Sequence, residues 1–390
     1  MQMDRDIPAR PISRRHFLTC AAGGAALMLT SRAVVARSKA VPGSEIFAKA
    51  TLLNFRLTFS ADAIALLREK PRTWVPARVR VDDREYEEVG VHVKGSQGSV
   101  RPFDDKPALT LSFNKFASEQ RLFGLRKIHL NNSVQDPTYL CEYLTGELFR
   151  RAGVPATRVA WAMVEVNGRK LGLFVLKEGF AKEFLGLHFA DTHGNLYDGG
   201  LHREVDEPLD LESGDGVKDH SDLRGLAAAA HVADPAERWQ RLGQVLDVDR
   251  FVPFMAMEIL TDHIDGYCLM QNNYRVYFDG PSKPGVFLPH GTDRMFGRQD
   301  ASLEPPMRAL VAKAVLGTRE GQERYRRCLT ELTERVFMPA WMLPSMDEVV
   351  RLLDAADPLV TRESRALRDR ITARAAFARS NAPAVLRNRS

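Results

Sequence analysis

The sequence predicts an α+β fold, with sheet-forming segments gathered in the first half and helices in the second. Three observations carry this. Apolar residues alternate at a period near two between Ala50 and Phe113, an Asn167-Gly168 pair joins two later strand patterns, and apolar residues recur at helical spacing after Asp249. At 390 residues, 44% hydrophobic and 27% charged, the chain suits one large domain or two modest ones, and this composition excludes disorder and collagen-like repeats.

In chain order, Leu53, Phe55, Leu57 and Phe59 alternate with polar residues, as do Val75, Ala77, Val79 and Val81, and then Val89, Val91 and Val93. Asp82-Asp83 reads as a turn and Ala61 to Glu69 as an inserted helix. Further strands are expected at Ala108–Phe113, Lys127–Leu130, Val159–Val166 and Leu171–Lys177. Between them a helix is marked by Asp136 as cap, Pro137 in the first turn, Leu140, Leu144 and Leu148 on one face, and Gly153 at its end. The stretch from Asp191 to Asp222 lacks periodicity and reads as a long loop. Helices follow over Asp249–Ile264, Pro306–Leu316, Glu320–Val336, Met346–Ala355 and Thr361–Phe377, with a strand pair, Tyr274–Phe278 and Gly285–Leu288, after the first. The resulting division is 37–177 as a sheet-rich lobe and 178–390 as connector, loop and helical lobe.

Residues 1–36 stand apart. Ser13-Arg14-Arg15-His16-Phe17-Leu18-Thr19 has the twin-arginine pattern, followed by a weakly apolar Cys20–Thr30 stretch too short to span a bilayer and small residues at Val34-Val35-Ala36. The reading is a twin-arginine signal, with the export machinery as partner, no stable membrane span, and a periplasmic or secreted destination. Five Arg and two Asp lie in this segment, so its removal lowers the formal +5 to about +2, which argues against nucleic-acid binding. Cys141, Cys268 and Cys328 form no disulfide framework and no metal-type Cys pair. Trp239, Phe251, Phe254 and Trp341 read as core.

The densest polar constellation is Asp262-His263-Ile264-Asp265-Gly266-Tyr267, then Asn272-Asn273-Tyr274, then Pro289-His290-Gly291-Thr292-Asp293-Arg294-Met295-Phe296-Gly297. An acid at a helix end, an Asn before a strand and an acid after the returning strand converge at one end of a hairpin. Such oxygen donors suit Mg²⁺ or Mn²⁺. Upstream, Lys94-Gly95-Ser96-Gln97-Gly98-Ser99 and Asp105-Lys106-Pro107 flank a turn whose small residues let backbone N–H groups approach an anion. His188, His193 and His202 with Asp191, Asp198 and Asp206 are spaced irregularly and read as loop residues, and no Gly-x-Ser-x-Gly elbow supports a serine hydrolase.

From Val91 to Arg387 the sequence resembles the spore-coat protein H (CotH) family of kinase-like proteins. The resemblance is carried by Val93-Lys94-Gly95-Ser96, Lys106-Pro107, Leu130-Asn131-Asn132 with Asp136-Pro137, Gly153-Val154-Pro155, Val166-Asn167-Gly168 with Gly172 and Lys177-Glu178. It continues through Asn195-Leu196-Tyr197, Asp265-Gly266-Tyr267, Asn272-Asn273-Tyr274, Pro289, Asp293 and Phe296-Gly297. It implies an atypical, two-lobed protein-kinase-like fold with ATP between the lobes, and an exported Mg²⁺-dependent (or Mn²⁺-dependent) enzyme that moves the γ-phosphoryl of ATP to a Ser/Thr hydroxyl on a secreted or envelope protein.

By the same resemblance Lys106 is the phosphate-contacting lysine and Glu142 its partner, with Glu147 the rival; Lys94 and Ser96 cover the phosphates; Asp265 is the catalytic acid; Asn273 and Asp293 hold the metal. His263-Ile264-Asp265 echoes the His-Arg-Asp of ordinary kinases, although Met270, not an Asn, stands five residues after Asp265. Gly291 stands where many members carry an additional acid. The alternative is a non-catalytic envelope scaffold built on the same fold. A third reading is a metal-dependent phosphate-ester hydrolase.

Overall fold

Alternation along the early strands decides what they enclose. The computed structural model describes residues 41–387 apart from 97, 217 and 281, so the expected 1–36 signal and Gln97 lie outside the described residues. A short helix α1 (Ser44–Phe47) precedes β1 (Leu52–Thr58). Helix α2 (Ala61–Glu69), capped by the Ser60 hydroxyl accepting the Ala63 N–H at 3.2 Å, leads to β2 (Val75–Val81), β3 (Arg84–Lys94), β4 (Ala108–Ser112) and β5 (Lys127–Asn131). After α3 (Cys141–Arg151) come β6 (Val159–Val166) and β7 (Arg169–Glu178).

Among the described residues these seven strands close into a barrel in the order β1-β2-β3-β4-β5-β7-β6, with β1 parallel to β6 and the other pairs antiparallel. Phe55, Leu57, Val79, Val91, Leu109, Leu111, Ile128, Leu130, Phe174 and Leu176 fill one continuous core inside it. The opposite faces of β6 and β7 are buried too: Val159, Trp161, Leu173 and Val175 belong to the core of the helical half. That two-sided burial welds barrel to helices. Asn167 (φ 47°) and Gly168 (φ 79°) make the expected two-residue turn between β6 and β7, and the Asn167 amide also pairs with both backbone groups of Phe59.

The second half begins with α4 (Lys182–His188), β8 (Asn195–Asp198), β9 (Asp210–Ser213), α5 (Ser221–Ala230) and α6 (Pro235–Val245). The long loop expected from Asp191 to Asp222 thus contains two strands, which join β10 (Tyr274–Phe278) and β11 (Gly285–Pro289) in a sheet ordered β11-β10-β8-β9. Four-residue strands with polar ends carry too little alternation to be read locally. Helices α5 and α6 lie outside the segments with expected helical spacing, although Asp234 caps α6 by accepting the Glu237 N–H at 2.8 Å and Pro235 opens it.

Helix α7 (Val248–Leu260) is apolar nearly all round and fully buried along most of its length. It ends before the expected Ile264 because Asp262 takes φ 53°. A single turn, α8 (Tyr267–Met270), precedes β10, and α9 (Leu310–Leu316), α10 (Arg319–Arg335), α11 (Pro339–Leu353) and α12 (Leu359–Arg387) complete the helical half. Arg374 of α12 is wholly buried and donates to the carbonyls of Ile259 and Leu260, satisfying the end of α7. The fold is the expected two-lobed α+β arrangement. Among the described residues no helix is long and apolar enough to cross a membrane.

Candidate active site

The side chains that alternate away from the barrel interior on β3, β4, β5 and β7 form a polar roof. His92 pairs across the strands with Thr110, Thr110 with His129, and His129 with Lys177; the adjoining row places Lys94 opposite Ala108. Beneath it lie three segments of the helical half: the loop after α7, with Asp265; the approach to β10, with Asn272 and Asn273; and the exit from β11, with Asp293. Roof and floor enclose a cavity of about 950 Å³, lined among others by Lys94, Ser96, Glu142, Asp265, Asn273 and Asp293.

A buried charge network crosses the roof. The Lys177 ammonium donates to Glu142 Oε1 at 2.6 Å, the Asn131 amide donates to Glu142 Oε2 at 2.5 Å, and Lys94 donates to Asn131 Oδ1 at 2.6 Å. Glu142 and Lys177 are each about 3% exposed. Burial works against the Glu142 charge, but Lys177, Lys94 and Asn131 outweigh it and hold the carboxyl below its ordinary range. Desolvation, and then the neighbouring Lys177 charge, pushes the Lys94 ammonium down to about 8. Glu142 stands at the start of α3, which opens at Cys141 with Leu140 in the cap position and not at the expected Pro137; Asp136 accepts the Cys141 N–H at 2.9 Å from the preceding loop.

On the floor, Asp265 is held from both sides. Asn272 donates to its Oδ1 at 3.0 Å, and Asn273 donates to its Oδ2 and its carbonyl, both at 2.9 Å. Those bonds orient the Asn273 amide, leaving its Oδ1 as acceptor beside Gly291. A Cβ at Gly291 would lie 2.3 Å from that oxygen, and its φ is 56°, so a side chain at this position would have to displace Asn273. Asp293 has no ion-pair partner among the described residues; burial, and then the charge of Glu142, pushes it up to about 6.

An under-compensated carboxylate and an oriented amide oxygen fit a hard divalent cation that takes its remaining oxygens from phosphate and water. Among the described residues no three of His, Cys, Asp or Glu gather as a protein-only metal cage.

Lys106 lies apart from these residues. It is absent from the cavity lining: its ammonium donates to the Tyr139 hydroxyl at 2.9 Å and lies over the Tyr139 and Phe174 rings. It precedes β4, whose pairing places Ala108 and Thr110 on the roof and leaves Lys106 beyond it; Lys177 takes Glu142 instead. Glu147, the rival of Glu142, pairs with Arg150 at the helix surface. Ser96 lies at the exposed rim.

The histidine and acid group does not assemble. His193 meets Asp191, Asp206 meets His231, His188 packs on Phe184, and only Asp198 and His202 reach the cleft margin. Sequence reasoning gave no role to Lys177 or Asn131. Lys177 carried a signal, a cation ending the apolar run Leu171–Leu176 in phase with Leu173 and Val175.

A family model described as CotH kinase protein matches residues 91–377. Inner spore coat protein H of Bacillus subtilis (strain 168) is 23% identical over 309 residues, which cover 73% of this chain and 82% of that protein. Spore coat protein homolog 1 of Rhizopus delemar is 27% identical over 177 residues, 42% of this chain and 28% of that protein. Among solved structures, the Helicobacter pylori proinflammatory kinase CtkA aligns with 72% of this chain and 95% of its own at 10% identity and a TM-score of 0.34. The Golgi casein kinase aligns with 85% and 77% at 11% identity and a TM-score of 0.33. With the family model matched from the end of β3 into α12, the chain belongs to the CotH kinase family.

Proposed function

We propose that the chain is an exported kinase that transfers the γ-phosphoryl of ATP to a Ser or Thr hydroxyl of a secreted or envelope protein, with residues 1–36 as its twin-arginine signal. The observation that carries this reading is the convergence of Lys94, Glu142, Asp265, Asn273 and Asp293 on one cleft from five separate segments. Family membership supports it.

In this mechanism Asp265 orients the acceptor hydroxyl and takes its proton on a carboxylate oxygen while the new oxygen–phosphorus bond forms and the bond to the ADP oxygen breaks. Asn272 and Asn273 hold Asp265 in the required rotamer. Lys94 supplies positive charge facing the phosphates, and the Lys177–Glu142–Asn131 network fixes its position. Asp293 and Asn273 are the residues that would hold Mg²⁺ or Mn²⁺, which when bound neutralises phosphate charge.

The test is labelled-ATP transfer by the purified chain to envelope proteins or to itself. Asp265→Ala is expected to abolish transfer while leaving Mg·ATP binding, and Asp293→Ala to abolish metal-dependent binding. Transfer unaffected by either substitution overturns the assignment.

One observation favours a second reading, a binding protein without turnover: both Asp265 oxygens already accept amide hydrogen bonds. Thermal stabilisation by Mg·ATP without any transfer supports that reading. Release of phosphate to water without an acceptor would point to a hydrolase.

A further inference from the structure

Glu258, on the last turn of α7, is 0% exposed and lies outside the cleft lining. A carboxylate stripped of water in this way must be satisfied by fixed donors, and the donors it uses are informative. Its Oε1 accepts the Tyr267 N–H at 3.0 Å and its Oε2 accepts the Cys268 N–H at 2.9 Å. Those residues open α8, two and three positions beyond Asp265. On the other side of Asp265, the His263 ring stands with Nδ1 3.5 Å from Glu258 Oε1 and Nε2 3.3 Å from the carbonyl of Gly291, two residues before Asp293. The backbone confirms how closely the parts fit: a Cβ at Gly266 would lie 2.5 Å from Glu258 Oε1 and 2.7 Å from His263 Nδ1. Only glycine at 266 lets the loop fold over the carboxylate.

We infer that Glu258 is a positioning residue that sets the register between the Asp265 loop and the Asp293 segment. It does so from behind the cleft, by hydrogen bonds from two backbone amides and by packing against the His263 ring, and touches no reacting group. This rests on the kinase reading above. The geometry separates it from a general stabiliser: ordinary core side chains of α7 hold the helix in the lobe, whereas Glu258 binds the far end of the Asp265 loop through two backbone amides and stands beside His263, whose ring reaches the strand exit that carries Asp293. Asp265 and Asp293 must be placed together for in-line transfer, and small displacements of such groups cost far more in turnover than in binding.

The isosteric Glu258→Gln keeps one acceptor oxygen and turns an N–H₂ against the other amide. Its expected signature is a fall in kcat of about 30-fold or more, with KM for Mg·ATP moving by less than about threefold. Gly266→Ala, which displaces the carboxylate from the other side, is expected to show the same split. Val349→Ala, a truncation of a fully buried α11 side chain outside the cleft lining, serves as the stability control. Its kcat is expected to stay within about twofold of wild type at a comparable loss of Tm. An E258Q kcat within about threefold of wild type, or a loss matched by the Val349→Ala control, overturns the positioning role while leaving the kinase reading intact. Absence of transfer by the wild-type chain overturns both.

Discussion

Replacing Asp293 by Asn is expected to stabilise the metal-free protein, even though the same change removes the function proposed for that side chain. Its carboxyl is raised from an ordinary 3.8 to about 6, first by burial and then by the negative charge on Glu142. At about 1.4 kcal/mol for each tenfold change in proton affinity, the ionised group costs the fold about 3 kcal/mol. The sign follows from the direction. Between about pH 4 and pH 6 the native state keeps a proton that the unfolded chain has released, so wild-type stability falls as pH rises through this window and then levels off. Asn carries no charge, so the gap between variant and wild type should be small near pH 4 and reach most of its about 3 kcal/mol by pH 7. Chemical denaturation in EDTA at four pH values measures it. Equal stabilities at pH 8, or a gap that does not change with pH, refute the argument that Asp293 is held in the cleft at the expense of stability.

The Lys177→Met substitution leaves Glu142 buried without its closest cation and should cost about 3–5 kcal/mol in denaturation experiments; a smaller loss than Lys106→Ala shows would contradict the pairing described above. Lys106→Ala should lower stability by about 1 kcal/mol through the lost Tyr139 contact, and leave nucleotide affinity within about twofold, as read by calorimetry. Gly291→Ala forces a Cβ against Asn273 in a left-handed backbone and should cost about 1–3 kcal/mol while weakening the thermal shift produced by Mg·ATP; an unchanged shift would mean that Asn273 is not needed there.

Much of this was legible without coordinates because it depends on neighbours along the chain. Alternation at Leu53 to Val93 reports which side chains face a core, the Asn167-Gly168 pair names its own turn, and helical spacing places α10 to within one residue at each end, whereas α11 opens at Pro339, seven residues before the expected Met346. The acidic and amide residues at 265, 273 and 293 stood out because each sits where an element ends, and an element's end is where a polar side chain reaches a cleft. Errors arose where the signal is short or the partner distant. Strands β8 and β9 gain their identity only by pairing with β10, and Asp262 ends α7 by a backbone conformation that its residue type permits but does not require.

The sequence alone determined the class of elements, their order, and the presence of oxygen donors suited to a hard cation, since these are properties of local pattern and residue chemistry. Tertiary structure alone decided the closure of the barrel, the choice of Lys177 over Lys106 as the partner of Glu142, and the close approach of Gly291 to Asn273. The reason is physical. Which lysine meets a buried carboxylate depends on strand register and barrel curvature, and register is settled by contacts between residues far apart in the chain that no local spacing encodes.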